Sequence, residues 1–353
     1  GGQVGSTNPV HGLLYHLSLT MAWSFSVRRL FLFAVSAVTI GRSLLLPPPE
    51  VQASESAVAA SREDLGADHL PDYWEYRNKW RGYNRRFWYK IGNGDREAAH
   101  VKLVIGVFSR ADGLEMPHRS VVRETWMDQK GVCRLPFNPS SECSVYVTFV
   151  VGTGGDLDAS ERDMTLLPAK DTMDEGKTRV WFQHASGAWT WATHIMKMDL
   201  DAFPNLRHIL YRIGTHSSTC ANHYGGILIT PCGNYVYEPS CKCGNPEGED
   251  FLKYRVSDVD CFTYMQGGGY FLSRELAANA SQAGEWWDRD ISKHCYPEDV
   301  TTGHAIKRYG AEHDVCVSMV RLSVFKYGVH FPGRTKETTG CPGRTVPSKL
   351  QSK

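Results

Sequence analysis

The stretch that decides the fold is His194-Ile-Met-Lys197-Met-Asp199-Leu200-Asp201. His194 to Met198 is a short, mainly apolar run, the pattern of a strand buried in a sheet, and it leads straight into two carboxylates one residue apart. Upstream, VKLVIGVF from Val101 to Phe108 and SVYVTFVVG from Ser144 to Gly152 read as two more buried strands. A helical stretch around Arg119 to Trp126 separates these two. Another has Val180, Trp181, Ala185, Ala188, Trp189 and Ala192 at helical spacing behind the polar start Glu175-Gly176-Lys177-Thr178. Strands alternating with helices predict an α/β fold on a mixed, mainly parallel sheet. Such sheets bind ligands outside the carboxyl ends of their strands, and Asp199 and Asp201 stand at one of those ends.

Working outward, the chain of 353 residues is 42% hydrophobic and 22% charged, enough for a full-sized core. A formal net charge of +1 provides no global field to recruit nucleic acid. The ten cysteines all fall from Cys133 onward. Their even number fits disulfides formed in an oxidising compartment, the alternative being ordinary buried thiols. Residues 1–27 read as a cytoplasmic or spurious N-terminal segment, and the stretch before Met21 carries no pattern. Over 28–46, Arg28 and Arg29 precede an apolar run from Leu30 to Ile40, interrupted at Gly41-Arg42-Ser43 before Leu44 to Leu46. A spanning helix needs about 20 apolar residues, so this one is short. It reads either as a signal-anchor with its basic side cytoplasmic or as a signal peptide, and both lead into the secretory route. Pro47 to Pro49 open a stem over 47–71 rich in Ala, Ser and Glu, and 72–353 is expected to form one catalytic domain. The domain's first stretch, DYWEYRNKWRGYNRRFWYK from Asp72 to Lys90, interleaves aromatic and basic residues. That composition can line a nucleic-acid groove, but an amphipathic element docked on the domain is the preferred reading.

Three features carry chemistry. Asp199 and Asp201 can share one hard divalent cation and its bound diphosphate, although the same spacing also occurs in solvated loops. Glu298-Asp299-Val300, between Pro297 and Gly303, offers a carboxylate able to take the proton of an attacking hydroxyl, or simply a favourable helix start. Gly267-Gly268-Gly269, within YMQGGGYFLS, lets a backbone approach a ligand or another strand closely. Gly176-Lys177-Thr178 does not end a P-loop, because Asp171 stands where the upstream glycine is required. Cys241-Lys-Cys243-Gly244 leaves zinc binding open, but one Cys-x-Cys pair without a spaced partner is weak evidence for it.

In this order the motifs resemble the family of β-1,3-galactosyltransferases and β-1,3-N-acetylglucosaminyltransferases, with its trypanosomatid branch nearest in feel. Arg119-Ser-Val-Val-Arg123-Glu-Thr125-Trp126 is similar to the family's arginine, arginine, Thr-Trp signature, and Lys197-Met-Asp199-Leu-Asp201 to its lysine-led acidic motif. Tyr264 to Ser273 is similar to its glycine-tyrosine segment, and Glu298-Asp299-Val300 with Gly303 to its late acidic motif. The resemblance covers roughly Val101 to His330. It implies a GT-A-like domain, Mn²⁺, inversion at the anomeric carbon, and UDP-galactose or UDP-N-acetylglucosamine as donor. It also implies a glycan acceptor on a glycoprotein or glycolipid, and a single-pass type II anchor in the Golgi membrane with a lumenal catalytic domain. By the same resemblance, Asp199, Asp201 and His330 hold the metal. Asp299 is the catalytic base, with Glu298 as runner-up. Arg119, Arg123, Lys197, Asp199, Gly268 and Gly269 fall to the nucleotide-sugar, while pairing within the fold stays open for the two arginines.

The chain departs from the family at Leu200, where the middle of three aspartates is usual. The cysteine-rich stretch between Ile213 and Asp260 reads as a lineage-specific acceptor loop. Leu200 and the short anchor leave a rival open: a paralogue without turnover that binds a glycan or a protein partner.

Overall fold

In a computed structural model of the chain, residues 70–87, 100–136, 139–154, 160–229, 251–253, 263–289, 297–323 and 328–330 are described. The chain divides into two units, Gly1–Ala57 and Val58–Lys353, and every described residue lies in the second. The expected anchor over 28–46, nearly all of the stem, and Cys241 to Gly244 lie outside the described residues. Among the described residues no helix is long and apolar enough to cross a membrane.

The elements run α1 (Tyr73–Phe87), β1 (Leu103–Phe108), α2 (Met116–Glu124), β2 (Val132–Arg134), β3 (Val145–Thr153), β4 (Met164–Lys170), α3 (Lys177–Ala188), β5 (His194–Asp199) and β6 (Ala202–Pro204). They continue with α4 (Leu206–Gly214), β7 (His223–Ile229), β8 (Phe251–Lys253), β9 (Tyr264–Ser273), α5 (Arg274–Ala280), α6 (Glu298–Glu312), β10 (Cys316–Arg321) and β11 (Gly328–His330). The expected strands over Val101–Phe108, Ser144–Gly152 and His194–Met198 are β1, β3 and β5. The second expected helix stops at Ala188, so Trp189 and Ala192 lie in the turn after it.

β1 is the heart of the sheet. It pairs in parallel with β3 on one side and β5 on the other, with Phe108 opposite Asp199. β2 and β4 pair in parallel with successive stretches of β3. Past β5 the direction reverses: β9 runs antiparallel to both β5 and β7. β10 is then parallel to β7, and β8 antiparallel to β10. The sheet is therefore mixed and mainly parallel, as read from the sequence.

Alternation along β1 explains the two apolar layers. Leu103, Ile105 and Val107 pack with Tyr76, Trp80, Val121 and Ile209 from α1, α2 and α4. Val104 and Phe108 pack on the other face with Trp181, Leu276 and Ile306 from α3, α5 and α6. The aromatic-basic stretch after Asp72 is thus a docked helix, α1, with Tyr76 and Trp80 fully buried. Two disulfides, Cys133–Cys143 and Cys220–Cys316, tie described segments together.

Candidate active site and metal centre

β5 brings Lys197 and Asp199 to the carboxyl edge of the parallel strands, and Leu200 and Asp201 turn the chain into β6. β6 pairs antiparallel with β11, His330 opposite Ala202, so a two-stranded ribbon sets His330 beside Asp201. His330 Nε2 lies 3.2 Å from Asp201 Oδ1 and 3.9 Å from Asp199 Oδ2. One ligand atom from each of Asp199, Asp201 and His330 lies within 4.8 Å of the others. Two carboxylates and an imidazole converging in this way fit a divalent cation that accepts oxygen and nitrogen ligands, Mn²⁺ among them. Asp199 and Asp201 also line a cavity of about 600 Å³ with Phe108, Ser109, Asp112 and Lys177.

The electrostatics follow from burial and crowding. Burial is the largest influence raising the Asp199 carboxyl; the Asp201 charge adds to it, and Lys197 opposes it. For His330, burial works against the charged form. The hydrogen bond and charge of Asp201, with the charge of Asp199, outweigh it and raise the imidazole above its ordinary value.

Lys197 is fully buried, and its Nζ lies 2.7 Å from Asp199 Oδ1, 3.0 Å from Glu298 Oε2 and 2.7 Å from the Gly267 carbonyl it donates to. Burial disfavours the ammonium, but the two carboxylates more than offset that and keep Lys197 charged. This lysine bridges Asp199 to the start of α6 and is not among the residues that line the cavity.

Glu298 and Asp299 open α6 with different surroundings. Glu298 Oε2 takes Lys197, and Oε1 accepts from the Tyr270 hydroxyl; the Thr302 hydroxyl in turn donates to the Glu298 carbonyl at 2.9 Å. Both oxygens of that carboxylate are thus engaged inside the fold. Among the described residues, Asp299 Oδ1 accepts from its neighbour's amide, Val300 N, at 2.9 Å. Its carboxyl is pushed up to about 7, by burial first and then by the Glu298 charge, against the pull of Lys197. A base with a pKa near neutrality suits proton abstraction.

The glycines make room for side chains. A Cβ at Gly267 would lie 3.3 Å from Asp299 Oδ2, and one at Gly268 would lie 2.8 Å from His330 Cγ. Gly269 pairs with Met198, immediately before Asp199.

Of the two readings for Arg119 and Arg123, pairing within the fold is what the structure gives. Arg119 donates to both Glu161 oxygens, at 3.0 and 2.6 Å, and to Ser109 Oγ at 2.9 Å. Arg123 donates to both Asp163 oxygens at 2.9 and 2.7 Å, and its Nη2 lies 2.8 Å from Glu161. Their charge is used there, and neither lines the cavity. Sequence reasoning passed over Asp171, which accepts from Ala111 N and Gly152 N and pairs with Lys177. The signal available was the Asp171–Lys177 spacing, used there only to set aside a P-loop.

A family model described as Galactosyltransferase matches residues 117–317, more than half of the chain. The chain belongs to the galactosyltransferase family. This transferase is accordingly a hexosyltransferase, and its acidic β5 motif, α6 start and glycine-bearing β9 all lie inside the matched stretch. No curated protein matches the chain. Among solved structures, the mannose-1-phosphate geranyltransferase from Thermus thermophilus is 11% identical, over 63% of this chain and 74% of that one, with a TM-score of 0.24. That likeness is too slight to bear on the fold.

Proposed function

We propose that the transferase moves galactose or N-acetylglucosamine from a UDP-sugar to a glycan hydroxyl, with inversion and formation of a β-1,3 linkage. The observation that carries the reading is the convergence of Asp199, Asp201 and His330 beside the cavity at the carboxyl end of β5. These three residues would hold Mn²⁺, which when bound neutralises the charge left on the diphosphate as the glycosidic bond breaks.

The chain's own residues do the rest. Asp299 takes the proton from the acceptor hydroxyl while that oxygen bonds to the anomeric carbon and the carbon–phosphate oxygen bond opens, releasing UDP. Glu298 fixes the first turn of α6 through Lys197 and Tyr270, and so sets the position of Asp299. The test is UDP release by the purified protein across a panel of UDP-sugars with Mn²⁺. Turnover is expected with UDP-galactose or UDP-N-acetylglucosamine and should stop on chelation; undiminished turnover in excess chelator refutes the metal.

The same proposal places the chain in the Golgi membrane as a type II protein with its catalytic domain in the lumen. Support comes from Arg28 and Arg29 before the apolar run, and from the two disulfides. In sealed microsomes, residues after about Pro47 should resist added protease. Digestion of the catalytic domain from outside overturns this placement.

A further inference from the structure

Helix α1 lies upstream of the stretch the family model covers, yet it touches residues adjoining the Asp199–Asp201–His330 cluster at two points. The fully buried Tyr76 donates its hydroxyl to the Leu200 carbonyl at 2.7 Å, across 124 residues of chain. Leu200 is the residue between the two carboxylates, and its side chain is buried in the same apolar layer as Tyr76 and Trp80. One turn on, the ring of Trp80 sits edge-on to Phe203 at 5.9 Å, and Tyr83 tilts against the same ring at 5.7 Å. Phe203 is the middle residue of β6, paired with Val329 next to His330. α1 therefore backs both the turn that spaces the aspartates and the ribbon that sets His330 beside Asp201.

We propose that Tyr76 is a positioning residue of the metal centre, acting through the Leu200 peptide. The inference rests on the metal reading given above. The Leu200 carbonyl belongs to the peptide that joins Leu200 to Asp201, so rotation of that plane would swing the Cα–Cβ bond of Asp201 and with it the carboxylate that His330 faces. The hydroxyl of Tyr76 holds the Leu200 carbonyl turned toward α1, while the leucine side chain anchors the same peptide in the core. This accounts for an apolar residue in the middle of the acidic motif: here the position serves as the attachment point to α1.

The experiment measures Mn²⁺ binding, not turnover. The purified full chain is titrated with Mn²⁺ in the presence of UDP, following free Mn²⁺ by electron paramagnetic resonance, and metal-free thermal unfolding is recorded alongside. Tyr76→Phe keeps the ring stacked on Trp80 at 4.0 Å and removes only the hydroxyl. Loss of one buried hydrogen bond should weaken Mn²⁺ binding about five-fold. Asn84→Ala removes the bond that Asn84 Oδ1 accepts from Gln129 Nε2 at 2.9 Å, on the same helix but away from Leu200. It should lower thermal stability and leave Mn²⁺ affinity as in wild type. Equal weakening by both variants, or unchanged affinity in Tyr76→Phe, overturns the positioning role while the metal reading stands. If the wild type itself binds no Mn²⁺, the metal reading fails and this inference with it.

Discussion

Gly268 lies directly against His330: a Cβ at that glycine would sit 2.8 Å from the imidazole Cγ and 3.1 Å from both Cβ and Cδ2. Only Cβ of these atoms is fixed by the backbone, so relief needs the imidazole to turn about χ1, the β6–β11 ribbon to shift, or both, and each takes His330 from its place. Gly268→Ala should cost about 1–3 kcal/mol through overpacking. The larger effect should fall on the metal: His330 is displaced from Asp201, and more Mn²⁺ is needed for half-maximal UDP release. Unchanged Mn²⁺ dependence would show that His330 takes no part in the centre.

Asp201→Asn tests the same centre from its carboxylate side. The substitution keeps the shape and removes the charge that His330 faces at 3.2 Å. UDP-sugar binding in Mn²⁺ should weaken while thermal stability stays near that of wild type. A variant that binds the donor as tightly as wild type at limiting Mn²⁺ would exclude Asp201 as a ligand.

Glu298 and Asp299 should separate cleanly. Asp299→Asn removes a base, so kcat should fall by about 10²–10⁴ while donor binding persists. Glu298→Gln removes one of the two carboxylates that neutralise a buried ammonium, which should cost about 3 kcal/mol of stability. Thermal unfolding and kcat measured on both variants decide the matter. A dead Glu298→Gln of normal stability beside an active Asp299→Asn would reverse the two roles.

The apolar runs of β1, β3 and β5 and the carboxylates at the end of β5 were legible because each is a local pattern ending where ligands bind in such sheets. His330 was placed by resemblance, and the physical reason for its position is the pairing of β6 with β11, which no local spacing encodes. Arg119 and Arg123 show the opposite limit. Their motif is plain in the sequence, but their partners Glu161 and Asp163 lie some forty residues on, so whether their charge serves a ligand or the fold depends on tertiary packing. Tyr76 was equally hidden, because its hydrogen bond reaches a backbone carbonyl and leaves no trace in residue type.

The raised Asp299 carboxyl predicts a pH profile. As a base it works only when ionised, so kcat/KM should rise with pH through an inflection near 7 and then level. The stability effect has the opposite sign. A folded pKa above the unfolded one means the native state holds the proton more tightly; the resulting stabilisation is complete below the ordinary carboxylate range and is lost as pH rises through about 7. Asp299→Asn, neutral at every pH, should therefore unfold at a temperature equal to or above wild type at pH 8. An inflection that survives in the Asn variant belongs to another group.

Arg119 is a motif residue whose observed partners, Glu161 and Ser109, lie within the fold. Arg119 and Glu161 are almost wholly buried, and Arg123 and Asp163 complete a group of two positive and two negative charges. Removing one member leaves a buried carboxylate undercompensated, which costs about 3–5 kcal/mol. Arg119→Met, which keeps much of the side-chain length, should lower the unfolding temperature strongly. The KM for UDP-sugar, measured below that temperature, should be close to wild type, because the guanidinium does not line the cavity. The pH dependence supplies a second readout. Burial, the largest influence, raises the Glu161 carboxyl, but hydrogen bonds and charge from Arg119 and Arg123 together hold it below its ordinary value. A depressed folded pKa gives stability that is present above the unfolded value and disappears as pH falls through the folded one. The gap in unfolding temperature between wild type and Arg119→Met should thus be wide at pH 7 and close in acid. A stable Arg119→Met with a raised KM would return the residue to the nucleotide-sugar.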